Sequence, residues 1–148
     1  MKAIRVHQFG DPEVPQVGEV QSASPGPGEI LIRVRAAGVN PYDTYMRSGA
    51  YGARNPALPY TPGSDAAGTI EALGPDANRF KTGDRVFTTR TVTGAYAELA
   101  LCRVAQVQKL SEGVSYSQGA GPCVPYATAY RSLFQLAHAI RRDCGMGL

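Results

Sequence analysis

Alternation of apolar and polar residues is clearest between Ile30 and Ala37. There Ile30, Ile32, Val34 and Ala36 fall on one face while Arg33 and Arg35 fall on the other, the period of two that a half-buried strand requires. Ala3 to Phe9 repeats the pattern more weakly, with Ile4 and Val6 set against Arg5 and His7. Val14 to Val20 is a further strand, confined to an edge or a bulge because Pro15 brings no N–H to a ladder. Ala66 to Leu73 reads as a buried strand of small and branched residues. Shorter strands are predicted at the end of Phe80–Phe87, over Gly94–Ala100 and over Val104–Leu110, with Gly/Pro/Asp turns between them. Many short strands divided by turns predict a mainly β fold, a barrel or a sandwich.

Helical spacing enters in three places. Pro41 to Ser48 reads as a short helix: Asn40 is a good N-cap through its side chain, Pro41 suits the first helical position, and Gly49 suits a left-handed stop. Ser115 to Gly119 fits one helical turn. From Tyr126 to Arg142 the residues Ala127, Tyr130, Phe134, Ala137 and Ile140 recur at helical spacing, predicting a long helix opened by Pro125.

Composition narrows the class without changing this picture. A chain of 148 residues holds one domain and leaves little room for two. Seventeen glycines and eleven prolines favour short strands and turns over a helical bundle. The net charge of +3 is spread along the chain until Arg141-Arg142, so no basic-aromatic stripe supports nucleic acid as a partner. Three widely spaced cysteines, Cys102, Cys123 and Cys144, form no C-x-x-C pair. Met1-Lys2-Ala3-Ile4-Arg5 leads straight into a strand pattern rather than a signal peptide, and no apolar run is long enough to span a bilayer. A reducing cytoplasmic setting and no membrane partner are the expectation.

Two stretches carry the functional signal: Gly38-Val39-Asn40-Pro41-Tyr42-Asp43-Thr44-Tyr45-Met46-Arg47-Ser48-Gly49 with Tyr51, and Leu58-Pro59-Tyr60-Thr61-Pro62-Gly63-Ser64-Asp65 with Ala67 and Gly68. Together they resemble the zeta-crystallin-type quinone oxidoreductases, zinc-independent members of the medium-chain dehydrogenase/reductase superfamily, whose segments look like GVNPxxTYxRSGxY and LPYTPGSDxAG. The resemblance implies a GroES-like, partly open β-barrel with short rim helices and a C-terminal helix. It also implies reduction of a small-molecule quinone, or another conjugated carbonyl, at the expense of NADPH. In that family the matching tyrosine of the TY pair contacts the cofactor, and the matching asparagine borders the nicotinamide. Asn40, Tyr51 and Asp43 are therefore the catalytic candidates, and Asn40, Tyr45 and Thr128 the cofactor-binding ones. Thr128 belongs to Pro125-Tyr126-Ala127-Thr128-Ala129-Tyr130, which is similar to the family's PYxTAY segment. From the residues alone, Asn40 is equally a helix cap, both tyrosines core residues, and Thr128 a helical threonine bonded to its own backbone.

Zinc is not expected. Metal-dependent relatives place a cysteine after the Gly-Val pair and a His-Glu pair after Pro-Gly, where this chain has Asn40, and Ser64 with Asp65. Neither asparagine nor serine is a competent zinc ligand, and the cysteine-rich lobe of those enzymes has no counterpart. Cys123 reads as a buried apolar residue, His7 and His138 as lone histidines, and Ser64 lacks the partners of a serine hydrolase.

The resemblance covers roughly residues 1 to 138. Residues 1–125 are read as the substrate-side domain, and 126–148 as a helix leading toward a dinucleotide-binding Rossmann domain that is missing, with a divergent tail at 139–148. Gly145-Met146-Gly147 has no preceding strand and cannot be the phosphate loop. The expectation is a truncated substrate-side portion, inactive alone, whose uncovered stripe at Phe134, Ala137 and Ile140 invites self-association into a homo-oligomer. The alternative is a non-enzymatic β-barrel module retained for binding or assembly.

Overall fold

Ile30 and Ile32, both at 0% exposure, lie in the first half of the longest strand and anchor the sheet around it. The computed structural model describes residues 1–137. The predicted continuation of the last helix, Ile140, His138, Cys144 and the divergent tail lie outside them. In chain order the strands are β1 (Lys2–Val6), β2 (Pro15–Glu19), β3 (Glu29–Ala37), β4 (Ala66–Leu73), β5 (Arg85–Thr88), β6 (Leu99–Arg103) and β7 (Val107–Lys109). The α-helices are α1 (Pro41–Ser48), α2 (Tyr116–Ala120) and α3 (Cys123–Tyr130), with a π-helical segment at Arg131–Leu136.

β1 and β2 form one antiparallel pair, and the other five strands form a sheet in the order β6-β3-β4-β5-β7. Every named pairing is antiparallel. The small sheet leans on the large one through single bridges, Ala3 to Ala97 and Val6 to Tyr60, so the β structure curls without closing. This is the partly open barrel that was expected. Pro15 lies in the two-stranded edge, where its missing N–H costs no central ladder bond.

The larger of two core clusters is Ile30, Ile32, Ile70, Ala77, Phe80, Val86, Cys102 and Val107. Against the adjoining face, α2 packs Ala120 on Ala67 and Leu110. Gly68 is required at its place in β4, because a Cβ there would collide with the carbonyl of Arg33 on the neighbouring strand.

Three boundaries differ from expectation. The strand expected over Gly94–Ala100 is displaced to Leu99–Arg103, Ala97 keeping only its bridge to Ala3. Val104–Gln106 is a 3₁₀ turn rather than strand: the Gln106 side chain accepts from the Arg103 backbone N–H at 3.2 Å, a local bond that outcompetes the ladder. The last helix begins at Cys123 instead of Tyr126. Pro125 lacks the N–H that a first turn leaves unpaired, and the Val124 N–H finds a side-chain acceptor in Asp65 at 3.0 Å.

Candidate functional site

Asn40 has the extended backbone of an N-cap (φ −115°, ψ 153°), yet its side chain makes no capping hydrogen bond. Asn40 is the N-cap as expected, its side chain facing the Asp43 backbone N–H in a capping-box arrangement without closing that hydrogen bond, while its Nδ2 donates to Asp65 Oδ2 at 3.1 Å. Asp43, one turn into α1, takes over part of the cap by accepting from the Asn40 backbone N–H at 2.9 Å. A carboxylate is favoured at that end by the helix dipole. The Tyr96 hydroxyl donates toward the same Asp43 oxygen at 3.1 Å and toward the Gly38 carbonyl at 3.3 Å. Gly49 closes the helix in the left-handed region at φ 81°.

Asp65, 1% exposed, is the second anchor. Its Oδ2 accepts from both Asn40 and the Val124 N–H, while its Oδ1 is buried without a partner. Burial pushes this carboxyl above the usual range, the two hydrogen bonds oppose the shift, and the nearby charge of Asp43 adds to it. Burial and then the Asp43 charge likewise push the Tyr96 phenol up. One polar hub therefore ties together the end of β3, the start of α1, the start of β4 and the first turn of α3.

The tyrosines take the opposite course. Tyr42, Tyr45 and Tyr51 are 41%, 53% and 37% exposed, so neither tyrosine candidate is a core residue. Their rings meet: centroids lie 5.6 Å apart for Tyr42 and Tyr51 and 6.3 Å apart, edge to face, for Tyr45 and Tyr51. Behind Tyr42 opens a cavity of about 470 Å³ bordered by Asp43, Met46, Tyr60, Ser64 and Arg90. Next to it a shallower space of about 480 Å³ is bordered by Arg90, Cys123, Ala127, Thr128 and Arg131. Arg90 belongs to both. Thr128, exposed on α3, lies four residues beyond the hub contact at Val124, on the same helical side.

The candidates therefore fall into three settings: Asn40 and Asp43 in the buried hub, Tyr45 and Tyr51 on the exposed rim, and Thr128 on the adjoining groove. Sequence reasoning missed Tyr42, Arg90, Asp65 as the hub's acceptor and Tyr96. Only Tyr42 carried a local signal, its i, i+3 relation to Tyr45 on α1. The others reach the site through sheet register. Cys123 is buried as expected, its thiol pushed up to about 11 by burial and by Asp65, which suits an inert apolar side chain. Among the described residues, no group of three or more His, Cys, Asp or Glu side chains could hold a metal ion.

Residues 26–126 match the alcohol dehydrogenase GroES-like domain. The chain belongs to this family. Within it, the chain is 52% identical over 139 residues to a quinone oxidoreductase of Pongo abelii and 51% identical over 138 residues to that of Homo sapiens. Each alignment covers 93% of the chain and 42% of the relative, so the chain spans about two fifths of the length of these relatives. Among solved structures, a quinone oxidoreductase of Pseudomonas syringae superposes with a TM-score of 0.84 at 38% identity, over 90% of the chain and 41% of that protein. The Escherichia coli quinone oxidoreductase complexed with NADPH superposes with a TM-score of 0.84 at 34% identity, over 90% and 40% respectively. The family match takes in both stretches that carry the resemblance, Gly38–Gly49 and Leu58–Gly68.

Proposed function

We infer that the chain forms the substrate side of a zinc-independent, NADPH-dependent quinone reductase. One observation carries this reading: the α1 stretch that resembles the family's substrate side borders a cavity of about 470 Å³, a size suited to a small flat ligand. Similarity to quinone oxidoreductases over 93% of the chain supports the same class of substrate, a quinone or related conjugated carbonyl.

The residues fit one end of a dinucleotide. Asn40 Nδ2 is committed to Asp65, so the amide is held in one orientation at the start of α1. Exposed Tyr45 offers a ring and a hydroxyl, and Thr128 a hydroxyl beside the adjoining groove. NADPH, when bound, would supply a hydride, and a quinone that takes up that hydride and one proton becomes a hydroquinone. Asn40, Tyr45 and Thr128 would hold the nicotinamide end. Asp43 and Tyr51 would border the quinone, and Arg90, common to both spaces, would stabilise negative charge developing on the quinone oxygen. No zinc is assigned, since a quinone needs no Lewis acid to accept electrons.

The division at residue 125 into a substrate-side domain and a following helix is part of this proposal, supported by a family match that ends at residue 126. A cytoplasmic setting is supported by Cys102 and Cys123, both buried as free thiols. Among the described residues no helix is long and apolar enough to cross a membrane.

The test is titration of the chain with NADPH followed by nicotinamide fluorescence, then NADPH oxidation with a simple quinone, repeated after grafting on a relative's dinucleotide-binding domain. The expected result is weak or no turnover alone and quinone-dependent oxidation in the graft, with Tyr45→Ala costing about five- to thirtyfold in kcat/KM. A folded graft that binds NADPH but reduces no quinone overturns the reading and leaves a non-enzymatic binding module.

A further inference from the structure

Tyr42 is absorbed neither by the polar hub nor by the family's expected contacts, and it is where the exposed rim meets the cavity. Helical spacing puts Tyr42 and Tyr45 on neighbouring positions of α1. The chain then reverses at Gly49, and Asn55 pins the return: its Nδ2 donates to the Gly49 carbonyl at 2.8 Å, and its Oδ1 accepts from the Tyr51 N–H at 3.3 Å. This fold-back brings the Tyr51 ring against Tyr42, centroids 5.6 Å apart and planes tilted by 43°. Tyr42 also borders the cavity beside Asp43, Met46 and Tyr60. Three phenol rings thus stand partly in water within ten residues, in a chain whose large core side chains are buried to within a few per cent.

We propose that Tyr42, with Tyr51 beside it, is a specificity-determining wall that selects extended, electron-poor aromatic rings over small quinones. This rests on the quinone-reductase reading and refines its substrate class. Phenol faces are electron-rich, and a ring depleted by two carbonyls is their complement in offset stacking. Tyrosine loses little freedom on contact because only two side-chain torsions need fixing. On this proposal, a two- or three-ring quinone gains more stacking area against Tyr42 at the cavity's edge than a single ring does. An apolar wall of aliphatic residues would offer area without this electronic preference.

The chain contains eight tyrosines and no tryptophan, so ring-selective NMR resolves every contributing side chain. The probe is anthraquinone-2-sulfonate, a flat three-ring quinone that does not alkylate thiols, with naphthalene-2-sulfonate as an electron-rich control of the same charge. Titration without NADPH should shift the Tyr42 and Tyr51 ring signals, with anthraquinone-2-sulfonate bound more tightly than the control. Tyr42→Leu should weaken anthraquinone-2-sulfonate about three- to tenfold and the control by less than twofold, while Tyr42→Phe should restore most of the difference. Circular dichroism of each variant verifies the fold. Equal weakening of both probes, no shift at Tyr42, or a Tyr42→Leu effect confined to self-association measured by sedimentation would each overturn the proposal. Because cofactor is absent from this experiment, its failure leaves the quinone-reduction test standing. Ring binding that persists in a graft unable to reduce quinones would instead sink the reductase reading alone.

Discussion

The two helices that carry candidate residues are held by the β structure in opposite ways. α1 is fastened at both ends: Asp43 is buried beneath it with Asn40 and Tyr96, and at its far end Gly10 N–H donates to the Arg47 carbonyl at 3.0 Å. α3 is fastened only at its first turn, where Cys123 is buried and the Val124 N–H meets Asp65. Beyond it Tyr126, Tyr130, Phe134 and Leu136 are 74%, 59%, 38% and 67% exposed. The expected uncovered face is therefore present in the described part of the helix. The lesson is that a few buried hydrogen bonds at one capping position can set the geometry of a rim that has little apolar anchoring of its own. A helix of equal length and more apolar composition, tied to the hub only through Val124, is left to solvent beyond its first turn.

The comparison breaks most readily at Asp65. Asp65→Ala orphans the Asn40 amide and the Val124 N–H in a buried place, so a loss of about 2–4 kcal/mol is expected in urea unfolding. A loss below about 1 kcal/mol would show that the hub is not what fastens α1 to α3. Tyr96→Phe removes one donor from Asp43 while the Asn40 N–H remains, and should cost about 1 kcal/mol by the same measurement.

Protonation sharpens the point. Because burial raises the Asp65 carboxyl in the folded chain, the folded state binds that proton more tightly than the unfolded one. Its contribution to stability is complete below the unfolded value of 3.8 and is lost as pH rises through the raised folded value. Asp65→Asn has no such titration. Its stability relative to the native chain should climb as pH rises above the unfolded value of 3.8, whatever its offset at low pH. A pH-independent difference would place the shift elsewhere. The smallest effect belongs to the exposed helix: Phe134→Ala should change stability by less than about 0.5 kcal/mol. A large loss there would mean that the face is covered in solution.

Much of this was legible in the sequence. The period of two in Ile30–Ala37 located the central strand, and the Asn-Pro…Gly punctuation located both ends of α1, because these signals are local and steric. Pro15 marked an edge strand for the same reason. The resemblance carried by the Gly38–Gly49 and Leu58–Gly68 stretches pointed to the quinone oxidoreductases, and the chain is similar to them over 93% of its length.

What the sequence could not decide was the partner of each polar side chain. Asn40 has the residue type of a cap, but the partner of its amide N–H is Asp65, 25 positions away, a buried carboxyl that only the tertiary fold brings beside it. Tyr96 reaches Asp43 from 53 positions away only because Ala97 bridges to Ala3 and Leu99 pairs with Arg33. Tyr42 looked like one more helical residue until the turn at Gly49 returned Tyr51 to its face. Local spacing determines which backbone forms. Which buried group meets which is fixed by strand register, since leaving a polar atom unpartnered in the interior costs more than a typical local preference contributes.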